Sequence, residues 1–149
     1  MDLSNWFKGF ELGIARLTEE ERKRFFAECG KNCVRNGVLP IYEKLYKDAN
    51  GNMDTFFRKA NELPGVSGEV VKAGQIYRLS FLECTCELHT EGYVRTPLLC
   101  ECSRQSVLYA LHSLWQEHDF RVTLCCSILQ GNEKCIMQIE VIQGRSQSS

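Results

Sequence analysis

No segment of this chain is long and apolar enough to span a bilayer. Its opening residues, MDLSNWFKGF, also lack the basic stretch followed by an apolar one that marks an export signal. The expected location is therefore cytoplasmic. An excess of one charge is missing too: the formal net charge is −1, and basic residues are interleaved with acidic ones, as in EERKRFF. That pattern reads as a solvated helix face and gives no general attraction to nucleic acid or to an anionic membrane. Aromatic residues are not interleaved with a basic patch, which again excludes a nucleic-acid partner. The glycine-rich phosphate loop, the dinucleotide fingerprint and the His-Glu-x-x-His pattern are absent, and there is no internal repeat.

Cysteine is what the chain does have. Nine occur in 149 residues, and seven lie between Leu82 and Cys135. In a reducing compartment structural disulfides are disfavoured, and an odd total does not pair completely, so clustered thiols point to metal binding or thiol chemistry. Two pairs have the spacing Cys-x-Cys: Cys84 with Cys86, and Cys100 with Cys102.

Hydrophobic residues make up 44% of the chain and charged ones 25%, enough apolar material for a core without staples. Apolar spacing predicts a helix from Ser4 to about Leu17. Thr18 and Glu21 then form a capping box that opens a second helix, stopping near Gly30. A third helix starts near Leu39 with Pro40 in its first turn, and a short one runs from Met53 to Leu63. Beyond Pro64-Gly65 the period becomes two. Glu69–Lys72 and Gln75–Leu82 form a hairpin around Ala73-Gly74. Ser103 is placed to cap a helix that ends near His118-Asp119, and strands from Phe120 to Ile128 and from Cys135 to Val141 form a second hairpin. The expected fold class is α+β, with N-terminal helices packed on an antiparallel sheet of two hairpins and an intervening helix. Residues 1–143 form one domain, and residues 144–149 form a disordered tail.

Four thiolates at about 2.3 Å complete a tetrahedral zinc site. Cys84 and Cys86 leave a strand end, while Cys100 and Cys102 precede a helix whose N–H groups favour thiolate. The expected metal ligands are these four cysteines, with zinc as the metal. Cys29 and Cys33 flank the expected helix stop; a helix continuing through it would put both on one face. By strand parity Cys126 and Cys135 read as small core residues, and Cys125 points with Arg121, Thr123 and Ser127, where it lines a pocket or meets solvent.

The competing reading is a thiol-dependent hydrolase. Cys102, or Cys100, at a helix start would be its nucleophile. His89 is the one histidine near the cysteines in sequence, while His112 and His118 sit in and beyond the following helix. A third reading is a homodimer formed through an exposed last strand bearing Ile136 and Ile142.

The ordered set CGKNC, LECTCEL, LLCECSR and SILQGNEKCIMQIEV resembles a bacterial cysteine-rich family. That family is related to 4-vinyl-reductase-like and L-2-amino-thiazoline-4-carboxylic acid hydrolase-like domains. The resemblance covers residues 25–141 and implies a ligand-binding domain similar to the NO-signalling and Golgi-transport fold, with a small-molecule ligand. It also implies a zinc-binding or pocket-lining role for Cys84, Cys86, Cys100 and Cys102, with Cys29, Cys33 and Cys135 as a further site or second shell. Gly131 and Cys135 match its closing Gly-x-x-x-Cys signature. The chain departs from the pattern after each arm: Glu87 stands where a proline is usual, and Gln105-Ser106 where a Gly-Trp pair is. The reading taken forward is a cytosolic small-molecule-binding or sensory domain with a zinc-binding cysteine cluster.

Overall fold

A reciprocal cap starts helix α2 (Glu19–Arg35). Glu21 N donates to Thr18 Oγ1 at 3.1 Å, and Thr18 N donates to Glu21 Oε1 at 2.8 Å. The bonds from Thr18 hold the Glu21 carboxyl below its usual range. The computed structural model describes residues 2–84 and 86–142; the tail expected at 144–149 lies outside the described residues. Ahead of α2 lies α1 (Leu3–Arg16), capped by Asp2. After it come α3 (Leu39–Asp48) and α4 (Met53–Lys59), which is capped by Asn52. The helix expected to reach Leu63 is α-helical only to Lys59 and closes in a 3₁₀ turn over Ala60–Glu62.

Helix α2 does not stop at Gly30. A mid-helix glycine costs roughly 1 kcal/mol against alanine, but here it allows a backbone approach that no other residue would. A Cβ at position 30 would lie 2.9 Å from Ser106 N and 3.0 Å from Cys102 O. Packing thus outweighs propensity, and α2 runs on alongside the helix that carries Cys102.

Strands β1 (Val66–Lys72) and β2 (Ile76–Phe81) form the first expected hairpin, and β3 (Asp119–Cys126) and β4 (Cys135–Ile142) the second. The sheet is antiparallel throughout, in the order β1-β2-β4-β3. The last strand, expected to be an exposed edge, therefore lies inside the sheet. Ile136 is half-buried there, only Ile142 at the strand end stays exposed, and the edges are β1 and β3. A dimer through a free β4 edge is ruled out by this order.

Between the hairpins come α5 (Glu87–Thr90) and α6 (Cys100–Leu114). Ser103 does not cap α6. A 3₁₀ turn over Pro97–Leu99, whose first residues are tied by Leu98 N donating to Thr96 Oγ1, leads straight into Cys100. The helix also ends earlier than expected, at Leu114.

The main core lies between one sheet face and the helices. Tyr77, Leu79, Phe120, Val122, Met137 and Ile139 meet Leu45, Phe56, Phe57, Val107, Leu111 and Trp115. A second, smaller core of Ile14, Phe26, Val94 and Leu99 joins α1, α2 and the segment before α6. Helix α1 is further tied to that segment by Glu11 Oε2, which accepts from Arg95 N and Thr96 N. Among the described residues no helix is long and apolar enough to cross a membrane.

Candidate thiol site

The register of β2 against β4 fixes one end of the site. Phe81 pairs with Cys135, so Cys84, three residues on, leaves the sheet at the end where β4 begins. Cys135 keeps the core-face parity of Met137 and Ile139, as expected, but at the sheet's last row it is only half-buried. It accepts a bond from Ile128 N at 3.3 Å. The hairpin delivers that N–H because Gly131, at φ +98°, turns the chain back after Ile128–Gln130.

Cys100 and Cys102 were expected to act together ahead of a helix. Instead they lie in its first turn, where residues two apart do not face one another. Cys100 is buried, and Cys135, Cys84 and Cys86 act on it electrostatically; Cys102 is half-buried, and Cys29, Cys33 and Cys86 act on it in the same way. By these influences Cys84, Cys86, Cys100 and Cys135 form one inner group, looser than metal-ligand spacing. An outer group comprises Cys29, Cys33 and Cys102, where the unbroken α2 presents two exposed thiols one turn apart beside α6. Cys86 and Cys102 both pack on the smaller core.

Each shifted thiol in these groups is pushed up. For Cys100 burial raises it, the Ser127 hydroxyl favours the thiolate, and Cys135, Cys84 and Cys86 oppose it. For Cys84 burial again leads; the Cys86 backbone N–H lowers it, and Cys86 and Cys135 raise it. Cys102 is pushed up to about 12 by burial, then by Cys29, Cys33 and Cys86. Burial therefore overrides the thiolate preference expected of a helix start. The Ser127 hydroxyl itself is fully buried and has no hydrogen-bond partner of good geometry.

The hydrolase reading needs a base beside a thiolate, and these groups supply neither. His89 Nδ1 is buried without a partner, so no thiol bonds to it. His112 Nε2 is 2.9 Å from Asp119 Oδ1, and His118 lies beyond the end of α6. Metal geometry is also not preformed: among the described residues no three His, Cys, Asp or Glu side chains stand at metal-ligand spacing.

The remaining two cysteines leave the site. A bulge between Leu124 and Cys126 shifts the register, so Cys126 pairs with Ile136 rather than continuing the core face. It is half-buried, and its thiol donates to Lys134 O. Cys125 is exposed, the solvent-facing one of its two expected settings, but Ser127, expected to share its direction, is buried.

Sequence reasoning missed a cavity of about 320 Å³ at the opposite end of β2 and β4, lined by Asp54, Gly74, Tyr77, Trp115, His118 and Val141 among others. Its principal polar groups satisfy each other: Tyr77 Oη donates to Asp54 Oδ1 at 2.5 Å, and Gly74 N donates to both. Among the described residues the buried side-chain atoms without a partner, His89 Nδ1 and Ser127 Oγ, lie outside this cavity. The stacked Phe57 and Tyr77 rings behind it belong to the core.

No family model matches this chain, so the resemblance to the 4-vinyl-reductase-like and aminothiazoline-carboxylate-hydrolase-like domains gains no support from that comparison. No curated protein matches either. Among solved structures, the chain is similar to a trafficking protein particle complex subunit 3 from Naegleria fowleri covalently bound to palmitic acid, at 8% identity and a TM-score of 0.45, over 95% of this chain and 94% of that one.

Proposed function

We propose that this chain is a small thiolate-based binding or sensory domain that holds zinc, or a comparable borderline-to-soft metal ion. The site lies between the Cys-x-Cys arm after β2, the first turn of α6 and the β3–β4 hairpin. The observation that carries this is that Cys84, Cys86, Cys100 and Cys135, from three separate parts of the chain, come near enough to bear on one another's ionisation. Backbone N–H groups are directed at two of those sulfurs, from Ile128 to Cys135 and from Cys86 to Cys84. N–H donors and a buried hydroxyl around sulfur are the outer-shell groups that stabilise thiolate ligands.

The chemistry of the donor set fits a dication. Burial and mutual repulsion keep Cys84 and Cys100 protonated at neutral pH. A metal ion exchanges for those protons and removes both penalties at once, so affinity rises with pH. Binding draws the two arms inward from their present spacing. Cys135 joins the inner group and Cys102 turns away from it, because α6 already begins at Cys100.

Metal analysis of reduced protein supplied with zinc and freed of excess tests the reading. At least one ion per chain is expected, and Cys84→Ser and Cys100→Ser should each weaken retention by tenfold or more, the size typical of losing a ligand or its support. Zinc at trace levels only would overturn it.

A further inference from the structure

The cavity at the end of β2 and β4 away from the cysteines is lined by one carboxylate, and its two oxygens are unequally engaged. Tyr77 Oη and Gly74 N both donate to Asp54 Oδ1, whereas among the described residues Oδ2 takes no hydrogen bond or ion pair. We infer that this cavity binds a small organic ammonium ligand. Its N–H groups donate to Asp54 Oδ2, and its apolar body lies against Met53, Trp115 and Val141. The site is separate from the thiols and does not depend on the metal-binding reading above.

Four connections build the cavity. The turn between α3 and α4 places Asn52 as the α4 cap, its Oδ1 accepting from Thr55 N at 2.9 Å, and so sets Asp54 in the first turn of that helix. The turn between β1 and β2 supplies Gly74 N, 3.0 Å from Asp54 Oδ1. After α6, Trp115 Nε1 donates to Gly51 O at 2.9 Å and ties that wall to the α3–α4 turn. Val141 N donates to Gln75 O at 2.8 Å, which holds the end of β4 against the β1–β2 turn. The Trp115 ring is also met edge-on by Tyr46 and Phe56, each 5.0 Å away. The walls are therefore in place before a ligand arrives, as in most small-molecule sites.

The lining selects the ligand. The Tyr77 hydroxyl, then Gly74 N, keep Asp54 ionised at neutral pH, so the cavity carries negative charge. Among the described residues no lysine or arginine lines it; Arg58, one turn along α4, acts on Asp54 electrostatically from outside the walls. An anionic ligand is thus repelled. A protonated amine supplies both the opposite charge and N–H donors, and a charge-assisted hydrogen bond is roughly twice as strong as a neutral one. His118 offers a second acceptor in its neutral form. At about 320 Å³ the cavity is at the lower end of the roughly 300–1,000 Å³ usual for ligand sites, so the apolar body is one ring or a short chain.

Three probes of similar shape separate charge from fit: 2-phenylethylamine, 2-phenylethanol and phenylacetate, each titrated at pH 7 into the isotope-labelled full chain. The chain has two tryptophans, so their indole N–H resonances report the cavity through Trp115 and an exposed position of α1 through Trp6. The amine should shift the Trp115 resonance saturably and bind tenfold or more tighter than the alcohol, the size of one hydrogen bond to a charged group. Phenylacetate should leave Trp115 unmoved, and Trp6 should respond to none of the three. Asp54→Asn keeps an oxygen for Tyr77 and Gly74 and should bring the amine down to the level of the alcohol. His118→Leu, at a partly exposed position outside the core, gives a second reading if that variant unfolds. The alcohol has one donor, which Asp54 takes, so loss of the second acceptor should narrow the amine's margin. An unchanged margin in the folded variants overturns the inference. So does an amine that leaves Trp115 unmoved, phenylacetate binding as tightly as the amine, or a shift shared by Trp6; each leaves the thiol-site reading standing.

Discussion

Gly30 of α2 and the carbonyl of Cys102 in α6 are in direct backbone contact: a methyl group at position 30 would lie 3.0 Å from that oxygen. Ser106 N would be 2.9 Å away on the same side. Both neighbours are backbone, so neither can turn aside as a flexible side chain would.

Gly30→Ala should therefore destabilise the protein although alanine is the better helix former. Overpacking typically costs about 1–3 kcal/mol and the gain in propensity returns at most about 1 kcal/mol, leaving a net loss of roughly 1–2 kcal/mol. Gly9 and Gly13 in α1 have nothing within 4 Å of the place a methyl group would take, and they serve as controls. Gly9→Ala and Gly13→Ala should each stabilise by up to about 1 kcal/mol. Urea midpoints of the three variants check this; a Gly30→Ala midpoint raised like the other two would show that the helices have room to spare.

Thiol reactivity gives a second outcome. A thiol at about 12 has, at pH 8, a thiolate population about three orders of magnitude below that of an ordinary cysteine. In metal-free protein, iodoacetamide should label exposed Cys125 early and Cys102 and buried Cys100 last. Timed alkylation with peptide mapping measures the order. Fast labelling of Cys102 at neutral pH would restore the nucleophile reading.

The pH response of the Asp54–Tyr77 pair gives a third. The Tyr77 hydroxyl, then Gly74 N, hold the Asp54 carboxyl below its usual range. Its folded value lies below its unfolded one, so the stabilisation is present above about pH 4 and is lost as pH falls through the depressed value. Tyr77 is raised, by burial and then by Asp54, so its contribution is present below about pH 10 and is lost on further rise. Tyr77→Phe should lower stability at pH 7 and flatten the loss on both sides. Urea midpoints across pH 3–11 should show this, and parallel curves for the two proteins would contradict it.

What was legible in the sequence was local. The Thr18/Glu21 cap, Pro40 in the first turn of α3 and both hairpins follow from residues within a few positions of each other, and each is present. The errors arose where distant packing decides. Gly30 reads as a stop until α6 lies against it, and the bulge that redirects Cys126 leaves no mark in the alternation of β3. The same holds for the site. Cys-x-Cys spacing pointed to the two arms, but the separation of Cys100 from Cys102 depends on where α6 begins. The place of Cys135 in the inner group depends on β4 pairing with β2.

The order β1-β2-β4-β3 carries a consequence for biosynthesis. The strand that joins the two hairpins is synthesised after the other three, so β2 waits with an open edge until residues 135–142 arrive. Long-range strand pairing of this kind is slow and leaves edges exposed while it is incomplete. Cys84 and Cys86 are consequently synthesised some fifty residues before Cys135, the partner at their end of the sheet. The inner thiol group thus forms only after residues 135–142 have been made, closed from the C-terminal side.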